Sequence, residues 1–281
     1  MVDSHSICAD ITQIMNENIL PAAESTTRIS LVDIANRYLE HYQRLFDISA
    51  FSLAGFRKAS EQDYDELTRQ LVLMPKNDAR MSFEKAKDVT ETWLLKHVLT
   101  EALGSVVPLL EDSRSICALC DYKVAKINDS AKLLAISNQQ RQEFLRLSIG
   151  DKFNHLKQKY GITCDVQEHV ESLLSITRAL LSKDGVLTQE EAGAQSEITL
   201  KIRSITLVQA NAAPSTSGEA VFNLTRKVTD NTRKVKVGDK VALTKAEQFG
   251  SLMTLSIFLA TMLQGVQNYA LKTGAADQST P

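Results

Sequence analysis

The stretch from Gln248 to Leu271 constrains this chain more than any other. It holds no charged residue and carries large apolar side chains on every side of a helical wheel. A helix that is apolar all round belongs either in a membrane or at the centre of a protein core. Polar residues interrupt it throughout: Ser251, Thr254, Ser256, Thr261, Gln264, Gln267 and Asn268. Those interruptions favour a buried core helix over residues 244–272, and no membrane span is expected. The fold class that follows is mainly α, a helical bundle around a buried C-terminal helix, with a small antiparallel β-element.

Composition agrees with that class. A chain of 281 residues with only 11 Gly and 5 Pro is poor in turn-formers, which favours long helices over a many-stranded sandwich. The net charge of −2 argues against a general polyanion binder, although basic residues gathered on one face would still make a local patch. Four cysteines are too few for a disulfide scaffold, and MVDSHSICADITQIM has no basic segment leading into an apolar run. A reduced, cytoplasmic setting is the expectation.

Periodicity divides the chain into a helical region over 1–195, a β-hairpin element over 196–243, the core helix over 244–272 and a disordered tail over 273–281. Residues 8–20 predict a helix stopped before Pro21. A second starts near Ser30 and places Leu31, Ile34, Ala35, Tyr38, Leu39, Tyr42 and Leu45/Phe46 at core spacing. Residues 50–60 read as less regular, and DYDELTRQLVLM as a short helix ending before Pro75. The longest amphipathic segment spans about 82–107, with Leu95, Leu99, Leu103, Val106 and Leu110 in register, and Pro108 is expected to end or kink it. The next helix carries Ile116, Cys117, Cys120, Val124 and Ile127. Ser137 with Gln140 reads as a capping box for a helix that buries Leu145, Ile149, Phe153 and Leu156 and stops at Tyr160-Gly161. Asp165 with Glu168 repeats that pattern before Val170, Leu173, Leu174, Thr177 and Leu181. ITLKIRSITLV alternates and is β-branched, predicting a strand. After the loop NAAPSTSG, the segments EAVFNLTRKVT, TRKVKV and GDKVAL predict short strands, with a turn at Asp230-Asn231 between the first two. Thr244 with Glu247 or Gln248 is positioned to cap the last helix.

Few residue patterns carry chemistry. Cys117-Ala-Leu-Cys120 could hold zinc if two ligands from Cys164, His155 and His169 converged, or act as a redox pair. The same cysteines fall on one apolar helical stripe with Ile116, Val124 and Ile127, which favours core packing and no metal. SKDGVLTQEE resembles part of an EF-hand loop, yet its first position is Leu180 and its third Ser182. The oxygen ligands a calcium ion needs are therefore missing or weak, and a helix end followed by a Thr188–Glu191 capping box accounts for the residues. Arg37 and His41 lie one turn apart on a helix, a cation beside an imidazole, as metal-independent RNA cleavage requires. Solvated helix faces carry such pairs routinely, and Lys152 with His155 is another. The basic residues Lys201, Arg203, Arg226, Lys227, Arg233, Lys234, Lys236 and Lys240 concentrate in the β-element. They would form either a positive surface or a solvated edge that discourages sheet aggregation. Phe222 is the one aromatic residue there, which counts against a platform for stacking single-stranded bases. No cofactor is implied.

Three segments together resemble the helical core and last helix of the HEPN superfamily: WLLKHVLTEALGSVVPLLEDSRSIC, FNHLKQKYGI and VGDKVALTKAEQFGSLMTLSIFLATML. The resemblance covers about half of the chain and implies a helical bundle, often dimeric, in a superfamily rich in RNA-cleaving toxins and defence factors. Their Arg-x4–6-His motif is not reproduced: three residues separate Arg37 from His41, and both lie outside the resembling segments. The resemblance therefore implies a non-catalytic member. The expectation is a soluble, non-enzymatic protein acting through a protein partner or self-association. The alternative is an RNA-binding or RNA-cleaving HEPN-like protein with Arg37 and His41 as its pair.

Overall fold

A computed structural model describes residues 29–70, 81–124, 130–182, 185–209 and 224–275. The architecture below is that of the compact unit over residues 32–281, together with Leu31, the first residue of its first helix. The predicted helix over 8–20, the loop over 211–218, Ile127 and most of the tail lie outside the described residues. The fold is mainly helical with one two-stranded antiparallel sheet.

Helix α1 runs from Leu31 to Lys58, straight through the stretch expected to be irregular. No proline interrupts it, and Gly55 alone costs only about 1 kcal/mol in helix propensity. Ile34, Tyr42, Leu45, Ser49 and Leu53 form its buried stripe. Leu39 and Phe46, expected in the core, are instead 45% and 42% exposed. A short helix α2 (Glu61–Gln70) follows. Helices α3 (Phe83–Gly104) and α4 (Val106–Val124) are divided at Ser105, whose backbone N–H bonds to Ala102. The helix expected to end or kink at Pro108 ends at Gly104, the residue four before it, whose carbonyl a proline cannot serve. Pro108 itself sits in the first turn of α4, a position that tolerates its missing N–H. Leu99, Val106, Leu109 and Leu110 are fully buried around that junction.

The segment expected as one helix from Ser137 to Tyr160 is two. Helix α5 covers Ser130–Arg146 and α6 covers Ile149–Tyr160. Ser137 lies inside α5 and caps nothing. The cap belongs to Ser148, whose hydroxyl accepts from Asp151 N–H, while Gly161 at φ 71° closes α6 as expected. Lys152, 2% exposed, donates from Nζ to the carbonyls of Leu145 and Leu147, satisfying the end of α5 with a charge. Leu145, on that broken end, is consequently exposed. Helix α7 (Gln167–Leu181) starts without a side-chain cap at Val166, because Asp165 is engaged elsewhere. Leu181 at its far end is exposed rather than buried.

After the single turn α8 (Gln189–Ala192) come β1 (Glu197–Gln209) and β2 (Leu224–Lys236), paired antiparallel with Arg203 opposite Asp230. Asp230-Asn231 is therefore not a turn but the middle of one continuous strand. TRKVKV belongs to the same strand, while Lys240 forms an isolated bridge with Val186 and Gly238 turns the chain at φ 90°. Leu200, Ile202 and Val235 point inward from the ribbon. The last helix, α9 (Lys245–Lys272), opens with the expected Thr244–Glu247 capping box and packs on β1, α4, α3 and α7. Its Leu255, Phe258, Leu259, Met262 and Val266 are buried, whereas Gln264, Gln267 and Asn268 face outward. Phe83–Lys123 and Lys245–Lys272 are long and apolar enough to cross a membrane by length and composition, and 56% of each apolar window is buried within the protein.

The strand edge that meets α7 and α9 is closed by helix side chains. Ser172 Oγ accepts from Lys201 N–H at 2.9 Å, and Thr254 Oγ1 accepts from Arg203 N–H at 2.9 Å. Each hydroxyl also lies within bonding distance of the carbonyl of that same residue. Met253 Sδ covers the next outward N–H, that of Ile205. Two helical hydroxyls thus replace the third strand that the sheet lacks.

Candidate functional site

Where α1, β1 and the first half of α9 meet there is a groove of about 1020 Å³. Its apolar lining comes from Leu39, Tyr42 and Phe46 of α1, Ile202 and Ile205 of β1, and Phe249 and Met253 of α9. Phe46 and Phe249 meet across it with ring centroids 5.0 Å apart. The Tyr42 hydroxyl, 2.7 Å from Ser105 Oγ, ties the inner side of α1 to the α3–α4 junction. Burial pushes the Tyr42 phenol up to about 12, so it stays neutral. The exposure of Leu39 and Phe46 is what the core spacing of α1 concealed. Val32, Leu39 and Phe46 recur every seven residues, so one stripe of α1 stays uncovered while the neighbouring stripe packs inward. Periodicity reports that a helix has apolar faces and is silent on which of two adjacent faces finds a partner.

The predicted site residues are scattered. Arg37 is exposed, and His41 is half-buried with its Nδ1 3.1 Å from Arg44 Nη2. A guanidinium can only donate, so that ring nitrogen is the acceptor. Neither Arg37 nor His41 lines the groove or the second concavity, a space of about 590 Å³ between α6 and α9. Lys152 is committed to backbone carbonyls, and His155 packs edge-on to Phe144 and Tyr160, with burial lowering its pKa.

Cys117 is fully buried and Cys120 nearly so, with both thiols free. Burial pushes Cys117 up to about 12, with Cys120 and Asp121 adding in the same direction, so the thiolate that metal or redox chemistry needs is disfavoured. Among the described residues no group of three or more His, Cys, Asp or Glu converges. Leu180 is buried in α7, and Glu191 closes the Thr188 capping box and takes the Ser182 hydroxyl. The carboxylate that an EF-hand would offer to calcium is therefore engaged with the chain itself.

Much of the basic character of the β-element is neutralised. Arg203 forms a bidentate pair with Asp230 at 2.8 and 2.9 Å and reaches Asp165 at 2.8 Å. The Arg203 bonds hold Asp230 below the usual carboxylate range. Lys201 pairs with Glu168, Lys234 with Glu197, and Arg233 with Glu247 at 2.6 Å. Charge counted along a sequence overstates the field when cross-element carboxylates sit within bonding distance.

Arg114 was missed by the sequence reading. It is 1% exposed, donates from Nη2 to Ser115 Oγ and lies over the Phe144 ring, while its Nε and Nη1 have no hydrogen-bond partner. Burial lowers its pKa. Its place after Asp112-Ser113 in an apolar helix held no signal for that environment.

No family model matches this chain, and neither the curated proteins nor the solved structures contain a match to it.

Proposed function

We propose that this protein is a soluble, cytoplasmic, non-enzymatic helical protein that works by docking a protein partner or a second copy of itself. What carries the reading is the groove between α1, β1 and α9, where Leu39 and Phe46 stay 45% and 42% exposed beside an apolar floor. Exposed apolar residues gathered around one concavity mark contact sites, whereas singly scattered ones do not. The separation of Arg37 and His41 from both concavities favours contact over RNA cleavage.

The test is a tagged pull-down from the native host, with and without nuclease, using wild-type protein and Phe46→Asp. A protein partner that survives nuclease and is lost with Phe46→Asp supports the reading, as does a self-associated form with the same dependence. RNA recovered instead, with cleavage lost in His41→Ala, would replace it with the HEPN-like nuclease alternative.

A further inference from the structure

The ribbon has a second edge, and the helices leave it open. Lys201 and Arg203 turn both N–H and C=O toward Ser172 and Thr254, so the even-numbered residues of β1 make the ladder bonds. Through the register those bonds reach odd-numbered residues of β2. Val228, Asp230, Thr232 and Lys234 are left with N–H and C=O pointing away from β1. None of these backbone groups has a hydrogen-bond partner among the described residues. The opening ends at Lys236, whose N–H donates to Asp239 Oδ2 at 3.0 Å. From Val228 to Lys234 the free edge is about 20 Å long at about 3.4 Å per residue. All of its outward residues are exposed, Val228 at 57%. Helix side chains close the β1 edge, whereas β2 presents the row of donors and acceptors that an added strand needs.

Charge selects the occupant. Strand β2 carries Arg226, Lys227, Arg233, Lys234 and Lys236 against the single carboxylate of Asp230. Neighbouring elements cancel part of this. Arg203, itself shared with Asp165, holds Asp230, and His169 of α7 lies 3.4 Å from the same carboxylate. Glu247 meets Arg233, Glu197 meets Lys234, and Asp239 stands between Lys236 and Lys240 in the turn. Lys227 and Lys236 form no ion pair with a described residue, and the one carboxylate between them in β2 is the engaged Asp230. A second copy would lay this cationic strand beside itself, and like charges facing across strands are unfavourable. A strand bearing aspartate or glutamate meets the opposite sign.

We infer that β2 takes an extended acidic segment of a partner protein as a third strand of the sheet. Its backbone pairs with Val228, Asp230, Thr232 and Lys234, and its carboxylates meet the lysines of β2. This contact goes beyond the groove reading above and uses a different surface.

Two peptides of about eight residues test it, sharing valine and threonine positions and differing only in glutamate or lysine at the others. Binding to the full chain is read by fluorescence anisotropy at low salt. The glutamate peptide is expected to bind more tightly by about fivefold or more, a preference that falls as salt rises. On its addition, amide exchange should slow at Val228, Asp230, Thr232 and Lys234. Thr232→Pro removes an outward N–H and no ladder bond, so it should weaken the glutamate peptide about tenfold. Thr232→Val keeps the N–H and should bind as the native chain does. If Thr232→Pro lost native circular dichroism, the exchange pattern in the native chain would decide alone. Equal binding of the two peptides, or tighter binding of the lysine peptide, would overturn the inference. Glutamate-peptide binding that leaves those amides exchanging freely, or that survives Thr232→Pro, would overturn it too, as adhesion to a basic surface. Binding lost in Phe46→Asp and kept in Thr232→Pro would place the peptide in the groove and leave the protein-contact reading standing. A concentration-dependent dimer in light scattering, lost in Thr232→Pro, would assign the edge to a second copy instead. No binding by either peptide up to about 1 mM would remove the acidic-strand inference and leave the groove reading to its own test.

Discussion

Replacing Thr254 with valine isolates the device that lets a two-stranded ribbon sit against helices. Valine keeps the shape of threonine and removes only the hydroxyl. In the native chain that hydroxyl accepts from Arg203 N–H at 2.9 Å and has the carbonyls of Arg203 and Gly250, both at 2.9 Å, as acceptors for its single proton. Gly250 lies in α9, and its carbonyl can also be served by the helix ladder. The Arg203 N–H has no second acceptor at that closed edge, since Thr254 is fully buried. Leaving one buried donor unpaired costs about 1–3 kcal/mol. A carbonyl that loses its only outward partner adds to this, so a loss of about 2–4 kcal/mol is expected from the two groups together. Ser256→Ala is the control, because its hydroxyl bonds only back to Leu252 within α9 and should cost under about 0.5 kcal/mol. Urea denaturation followed by circular dichroism gives the comparison, and amide exchange at Arg203 should accelerate selectively in Thr254→Val. If Thr254→Val and Ser256→Ala cost the same, or Arg203 stays protected, the hydroxyl is not what closes the strand edge.

Other substitutions and conditions probe the rest of the fold. Gly265→Ala would place a Cβ 2.6 Å from Ile162 Cγ2 and should destabilise by about 1–3 kcal/mol, with part of the loss recovered in the double variant with Ile162→Ala. Additive losses in a double-mutant cycle would show that the two sites are not in contact. Glu247→Ala removes both the reciprocal half of the α9 capping box and the carboxylate that holds Arg233, so it should cost more than Thr244→Ala, expected near 1 kcal/mol. Equal costs would mean the Arg233 pair contributes nothing. Cys117 and Cys164 are pushed up to about 12 and about 11 by burial, and Tyr42 to about 12. Because these folded values lie above the unfolded ones, the stability they contribute is full below about pH 9 and declines as pH rises toward 12. A urea midpoint that stays flat from pH 8 to 11 would contradict this, as would stoichiometric reaction of Cys117 with a thiol reagent in the native protein at pH 8.

The helical class and the place of the last helix are readable from sequence because local rules set them. An uncharged run from Gln248 to Leu271 has to be shielded from water, and Thr244-x-x-Glu247 closes its start with bonds three residues apart. Gly161 likewise ends α6 by its own freedom to reach φ 71°. Where a local signal misled, a more distant partner had taken the side chain. Asp165 reads as a cap, but Arg203, 38 residues on, holds its carboxylate. Asp230-Asn231 reads as a turn, but pairing with Arg203 and its neighbours in β1 keeps that strand extended.

The candidate groove belongs almost wholly to tertiary structure. Val32, Leu39 and Phe46 carry the same periodic signal as the buried stripe of α1, and burial of either stripe depends on what packs beside it. That choice was made by residues far away in the chain, with Phe249 and Met253 of α9 and Ile205 of β1 forming a floor that stops short of covering Phe46. The sequence by itself determined that helices form, where several of them end, and that one of them must be shielded. Only the folded chain decided which apolar stripe remained uncovered, because burial is a property of three-dimensional neighbours and not of spacing along a helix.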